Sequence, residues 1–408
     1  MIAEILREEV HKCNKCGACL SSCQVYKQLN YESGSPRGKV QLIKRILAGQ
    51  LEPSANFNRI MFTCLLCESC TVTCPSGVKI DRLMKAMRTE LVDTFGLSWQ
   101  KQALFKLLAN NQLLSLSMFF GRAMESPLRS LLPGTVTVGT LPLSKLPALN
   151  RKPLRDQFPE IIPVAAAKGR VLYFTGCATN YLYENVGQAV LKILNRIGVE
   201  VIMPKDQMCC SLPIFLSGAR DKAVGNIKKN VATFNRADVD AIIVDCATCG
   251  AALKNDYVHI LEEMGEDATP ARSMSARVRD ISEYLQGFNL KGFLLPVNGR
   301  VTYHDPCHLL RSQRIRNEPR ELLKQIPGLE FVEMAGADAC CGGGGTFQLQ
   351  HPDIAQGITS NKITSIRNTG AGIVASGCSG CRLQIRAGLK EEPVQVMHPV
   401  EILAKALK

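Results

Sequence analysis

Eighteen cysteines in a chain of 408 residues stand at a few fixed intervals, and those intervals constrain the fold more than any hydrophobic pattern does. Eight of them form two runs, Cys13-x2-Cys16-x2-Cys19-x3-Cys23 and Cys64-x2-Cys67-x2-Cys70-x3-Cys74, the second followed at once by Pro75. Thiolates at i, i+3 and i+6 on a tight loop face one polynuclear metal centre from a single side, while the fourth, on the following helix, is held away from it. Gly17 and Gly77 supply backbone freedom beside the two loops. Structural zinc also uses paired Cys-x2-Cys ligands, but four cysteines in one such run crowd a tetrahedral ion.

The remaining composition is that of an ordinary globular protein, 46% hydrophobic and 21% charged, long enough for two or three domains. The opening residues, Met1 to Glu9, have neither an apolar leader core nor a small-residue cleavage site. The expectation is therefore a cytoplasmic, reducing setting in which cysteines are thiols or metal ligands. No apolar stretch approaches the ~20 residues of a membrane span, so any membrane contact is expected to be peripheral, on the inner face. The net charge of +13 comes from Lys and Arg spread along the chain rather than gathered in one stripe with aromatics, and nucleic acid is not an expected partner.

Residues 1–100 read as a small helical domain. Val40, Ile43, Ile46 and Leu47 recur at helical spacing before Gly49, placing a helix between the two cysteine runs, and its Arg37, Lys39, Lys44 and Arg45 either screen an anionic centre or form a solvated face. Residues 101–165 read as a helical segment followed by a proline-rich linker. Its apolar face, from Leu104 through Leu116 to Phe119 and Phe120, suits packing on the protein itself or a docking or membrane-surface contact. Alternating strands and helices then define two modules, 166–295 and 296–408.

The two modules repeat one layout. Cys177, Cys209-Cys210 and Cys246/Cys249 correspond to Cys307, Cys340-Cys341 and Cys378/Cys381 at offsets of 130, 131 and 132 residues. Each cysteine follows a predicted strand, at the sheet edge where open α/β sheets place ligands. Adjacent cysteines do not easily face one small ion together but can cap a wider cluster, so five thiolates at one edge point to an iron-sulfur centre. His304 and His308 flank Cys307 and are candidates for a hydrogen bond to a cluster sulfur or for proton movement. The run Gly342–Gly345 lacks the Lys-Ser/Thr of a phosphate loop and suits close backbone approach to the metal centre; the segment from Gly370 to Ala375 opens a strand instead of following one, which excludes a dinucleotide fingerprint.

These motifs carry two resemblances. The first two runs resemble those of bacterial two-cluster ferredoxins, apart from Gln24 where that pattern has proline. The resemblance implies crossed ligation: Cys13, Cys16, Cys19 and Cys74 on one cubane [4Fe-4S] cluster, with Cys64, Cys67, Cys70 and Cys23 on the other. The modules resemble the CCG-domain family, which includes a component of heterodisulfide reductase, with His304-Asp305-Pro306-Cys307-His308 and Cys340-Cys341-Gly342 the fuller copy and Ser211 replacing the glycine in the first. That resemblance implies one or two further iron-sulfur centres, non-cubane [4Fe-4S] in type, or another metal in one module. Their expected ligands are Cys177, Cys209, Cys210, Cys246 and Cys249, and Cys307, Cys340, Cys341, Cys378 and Cys381.

The expected architecture is thus multidomain, an α-helical ferredoxin domain plus two repeated α/β modules with parallel-type sheets. No flavin fingerprint, catalytic carboxylate pair or nucleophile with its base is evident, which points to a relay of single electrons rather than an enzyme acting alone. The whole arrangement, with Pro36-Arg37-Gly38-Lys39, is similar to the iron-sulfur subunits of glycolate oxidase and D-lactate dehydrogenase complexes. It implies an FAD-containing hydroxy acid dehydrogenase partner and a quinone or another redox carrier as acceptor. The iron-sulfur subunit of anaerobic glycerol-3-phosphate dehydrogenase, a heterodisulfide reductase-like catalytic subunit and a zinc-filled scaffold are the alternatives.

Overall fold

The computed structural model describes residues 2–131, 137–142 and 147–408. The N-terminal part is helical. The helix Pro36–Leu47 starts where the Ser35 hydroxyl accepts from the Gly38 amide at 2.9 Å, with Pro36 in the first turn where its missing N–H costs nothing. Its Val40 and Ile43 are fully buried against Leu6, Met61, Leu83 and Met84, the core of this domain. The long helix Ile80–Phe95 closes that core from the other side.

After the helices Trp99–Leu108 and Asn111–Leu131, a short hairpin pairs β1 (Thr137–Val138) with β2 (Leu141–Pro142). Thr140, in its turn, donates to Gln348 Oε1 and accepts from Gln384 Nε2, both in the last module. The stretch expected as a linker, 127–163, includes residues 132–136 and 143–146, which lie outside the described residues. Its last part is not a tether: β3 (Ile161–Ile162) pairs antiparallel with β5 (Val199–Ile202) and forms the edge of a five-stranded sheet.

That sheet also contains β4 (Gly169–Phe174), β6 (Ala241–Val244) and β7 (Val278–Asp280), in the order β3-β5-β4-β6-β7, with all pairs but the edge one parallel. The second module has β8 (Gly299–Tyr303), β9 (Leu329–Phe331), β10 (Ile373–Ala375) and β11 (Gln395–Met397) in the all-parallel order β11-β10-β8-β9. Setting β4 against β8, β5 against β9, β6 against β10 and β7 against β11 gives the same spatial order in both sheets, so the cysteine repeat is a repeat of topology. Parallel strands need helical crossovers, and β4 and β6 are accordingly buried on both faces.

The modules share their interior. One cluster of buried side chains runs from Leu172, Phe174 and Ile242 into Val374 and Ile385, and a second runs from Val171 and Ile193 into Val301 and Leu403. The C-terminal helix Pro399–Ala406 packs on Glu184–Arg196 of the first module. No helix among the described residues is long and apolar enough to cross a membrane.

Candidate metal centres

The two ferredoxin-type loops have the same backbone. Lys15 and Leu66, 51 residues apart and each following the first ligand by two, have φ of 65° and 50°; Gly17 and Glu68, again 51 apart, have φ of 87° and 61°. Alternation of left-handed with ordinary residues turns successive N–H groups into one concavity, a nest that accepts anionic sulfur. The Leu66 amide indeed points at Cys64 Sγ, 3.5 Å away, and the Tyr26 amide at Cys23 Sγ, 3.4 Å away. At Gly17 the left-handed conformation is cheap for want of a Cβ, and one there would also crowd the end of the Arg37 side chain, 2.7 Å from its Nη1.

The structure brings Cys13, Cys16, Cys19 and Cys74 around one small cavity, and Cys23, Cys64, Cys67 and Cys70 around a second. The fourth cysteine of each run thus lines the cavity of the other. All eight are free thiols. Burial pushes the Cys67 thiol up to about 11 and Cys70 well above its ordinary range, so these two give up their protons at neutral pH only if a cation replaces them. A thiol-lined, nest-backed cavity that resists deprotonation without a metal fits a cluster.

Two cations lie close by without a carboxylate partner among the described residues, Lys39 on the second cavity and Arg88 on the inter-module cavity beside it. Lys39, fully buried, donates to the Thr63 carbonyl. Arg88 donates to the carbonyls of Cys64 at 2.6 Å and of Leu216, in the first module, at 2.8 Å. Burial pulls both below their ordinary pKa, and the nearby Cys64 sulfur opposes it. Lys39 was a candidate from its sequence; Arg88 carries no signal, because its partners are main-chain oxygens from separate segments.

All ten module cysteines line one cavity of about 320 Å³. The modules meet there edge to edge: the Ala247 amide donates to the Gly377 carbonyl at 2.8 Å, Cys246 Sγ lies 3.4 Å from Ser379 Oγ, and Thr248 Oγ1 lies 3.4 Å from Cys378 Sγ and 3.3 Å from His308 Nδ1. Within the first module Cys209 and Cys177 sulfurs are 4.0 Å apart. In both, the second of the adjacent cysteines is the one that favours thiolate: Cys209 and Cys249 hold Cys210 down to about 6, and Cys340, Cys381 and His304 hold Cys341 well below the usual thiol range. Ser211 departs from the glycine of the motif yet takes φ of 60°, matching Gly342 at 91°, so the local turn survives the substitution. Its hydroxyl accepts from Asn226 Nδ2 at 2.8 Å.

The four-glycine run closes the gap to the ferredoxin domain. A Cβ at Gly343 would stand 3.7 Å from Cys341 Sγ, and one at Gly344 would stand 2.6 Å from the Leu65 side chain. Cys64, Leu65 and Leu66 line both the second ferredoxin cavity and the inter-module cavity. Arg311, next to the Cys307 loop, donates to the Cys67 carbonyl at 3.3 Å.

Helical loops that pair two thiol-lined cavities, joined to two α/β modules with cysteines at their sheet edges, define an iron-sulfur protein. Comparison with known proteins agrees: residues 9–78 match the 4Fe-4S dicluster domain, and residues 171–254 and 301–386 each match the Cysteine-rich domain called CCG. The chain is 30% identical to the probable glycolate oxidase iron-sulfur subunit of Bacillus subtilis, over 98% of this chain and 94% of that one. It is 28% identical to the glycolate oxidase iron-sulfur subunit of Escherichia coli, over 99% and 95%, and 29% identical to lactate utilization protein A of Bacillus subtilis, over 57% and 98%. The chain belongs to the family of glycolate oxidase-type iron-sulfur subunits.

Proposed function

We propose that this chain is the electron-transfer subunit of a flavin-dependent 2-hydroxy acid dehydrogenase, acting on glycolate or D-lactate through a separate FAD-containing subunit and passing electrons to quinone or another carrier. Bound clusters would each take up and release one electron. The protein's task is to hold them in line and dry. Cys13, Cys16, Cys19 and Cys74 are the proposed ligands of one cubane, and Cys23, Cys64, Cys67 and Cys70 those of the other. Cys177, Cys209, Cys210, Cys246 and Cys249 would hold the first module's centre, and Cys307, Cys340, Cys341, Cys378 and Cys381 the second's.

The observation that carries this reading is the Cys64–Leu66 loop, which borders the second ferredoxin cavity on one side and the inter-module cavity on the other. No acid-base pair or nucleophile beside a hydroxy acid site is needed in such a subunit, so it is not catalytic alone. A position on the inner face of the membrane belongs to the same reading: Trp99, Leu116, Phe119 and Phe120 are 74%, 53%, 69% and 58% exposed on neighbouring helices of a protein with net charge +13.

The test uses the complex with its flavoprotein, screened on glycolate, lactate and glycerol 3-phosphate. Cys74→Ser or Cys23→Ser should each remove one cubane signal in electron paramagnetic resonance and stop acceptor reduction, while substrate still reduces the flavin. Retention of both signals and of acceptor reduction would refute the assignment. A second reading is favoured by the size of the inter-module cavity, about 320 Å³ between two sets of thiols: a bound disulfide cleaved there would leave substrate-thiol adducts at Cys340 or Cys341.

A further inference from the structure

With the two modules set in register, one buried position beside the cysteines exchanges an apolar ring for an imidazole. Cys177 corresponds to Cys307, so Phe174, the last residue of β4, corresponds to His304, the residue after β8. Phe174 is fully buried among apolar side chains, its ring centroid 5.4 Å from that of Phe234. His304 occupies the same place, 1% exposed, and its amide donates to the Ala375 carbonyl at 2.9 Å, which fixes the backbone.

Its ring is not accommodated as a core histidine would be. Neither Nδ1 nor Nε2 has a hydrogen-bond partner of ordinary geometry. A buried polar group left unpaired is destabilising, and a phenylalanine at this position in the first module shows that the fold does not need the nitrogen atoms. A ring nitrogen of His304 and the sulfurs of Cys341 and Cys381 all lie within 4.8 Å of one another, the one such trio of metal-binding side chains among the described residues.

We propose that His304 is a nitrogen ligand to the metal centre of the second module, which makes that centre a mixed imidazole-thiolate site and leaves the first an all-thiolate one. This rests on the reading that the second module holds a transition-metal centre. A neutral imidazole donates to the metal without adding negative charge, whereas a thiolate in its place would add one, and histidine-ligated iron-sulfur centres have higher potentials than thiolate-ligated ones for that reason.

The full-length chain, isolated anaerobically, tests this by metal analysis and by pulsed electron paramagnetic resonance poised at successive potentials. One signal should carry a nitrogen coupling of the size given by directly bound imidazole. His304→Phe, the residue the first module uses, should abolish it while the five cysteines keep the metal, whereas His308→Phe should leave the coupling in place. His304→Cys should likewise lose the coupling and lower that midpoint by at least about 59 mV, a tenfold change in the one-electron equilibrium. A nitrogen coupling that survives in His304→Phe overturns the proposal. Where the second centre has no paramagnetic state, X-ray absorption at the metal edge decides: imidazole scattering that persists in His304→Phe overturns it equally. A wild-type chain with no metal in the second module would instead sink the underlying reading.

Discussion

Lys39 is the residue whose environment departs most from its chemistry. A lysine with 2% exposure and no carboxylate partner among the described residues pays for its desolvation unless an anion lies near, and the anion this cavity is built to hold would be a thiolate-ligated cluster. A fixed positive charge favours the state with one more electron. At an effective dielectric constant near 20 and a separation of about 8 Å, the attraction is about 2 kcal/mol. Lys39→Met, which keeps the stem, should therefore lower the midpoint of the Cys23/Cys64/Cys67/Cys70 cubane by roughly 50–100 mV. Arg37 provides the contrast: beside the other cavity, it is neutralised by Glu32 at 2.8 Å and partly exposed, so Arg37→Met should move that midpoint little. Redox titrations followed by electron paramagnetic resonance measure both, and equal shifts in the two variants would rule out burial as the cause.

Among the elements, the turns after the adjacent cysteines separate what a sequence displays from what it hides. The cysteine intervals were legible because metal ligation fixes them, and the repeat because it recurs at nearly one offset. The substitution of Ser211 for glycine reads in sequence as a weakened turn, yet the chain holds φ of 60° there, with Asn226 bonded to the hydroxyl. At Gly342 no such latitude exists, since a Cβ would meet the Ala355 carbonyl oxygen at 2.6 Å and Thr359 Oγ1 at 2.7 Å. Gly342→Ala is expected to cost about 1–3 kcal/mol and to empty the second module of metal, whereas Ser211→Gly should leave the first module loaded. Iron and sulfide analysis with thermal unfolding of both variants checks this; a fully loaded Gly342→Ala chain would contradict it. The edge strand β3 was not legible, because two residues amid prolines give no period to read, and its partner β5 is what makes it a strand.

In the whole molecule, the part least visible in sequence is how the ferredoxin domain is fixed to the modules, since each contact joins residues far apart in the chain. Lys85 Nζ reaches Asp256 at 2.9 Å and Asp81 at 3.7 Å, and Glu68, in the second ferredoxin-type loop, accepts from Ser312 Oγ at 2.6 Å. Burial works against the Lys85 charge, but Asp256, Asp81 and Glu68 outweigh it and hold the lysine protonated. One cation thus serves three carboxyl groups at the seam, and burial already lifts Glu68 to about 7. Removing the cation leaves carboxylates facing each other in a partly dry interface, a loss of about 3–5 kcal/mol for a buried pair broken on one side. Lys85→Met should therefore loosen the seam while sparing each cluster: metal content and both cubane spectra stay, electron passage from the cubanes to the module centres slows, and thermal unfolding divides into two steps. Lys85→Met combined with Asp256→Asn, which removes part of the repulsion, should recover some of the lost stability. Rapid-mixing spectroscopy and calorimetry on the full chain measure these effects. A single unfolding step at the wild-type temperature, with unchanged electron passage, would mean that shape complementarity at the Leu65–Gly344 contact, rather than this charge cluster, holds the two halves in register.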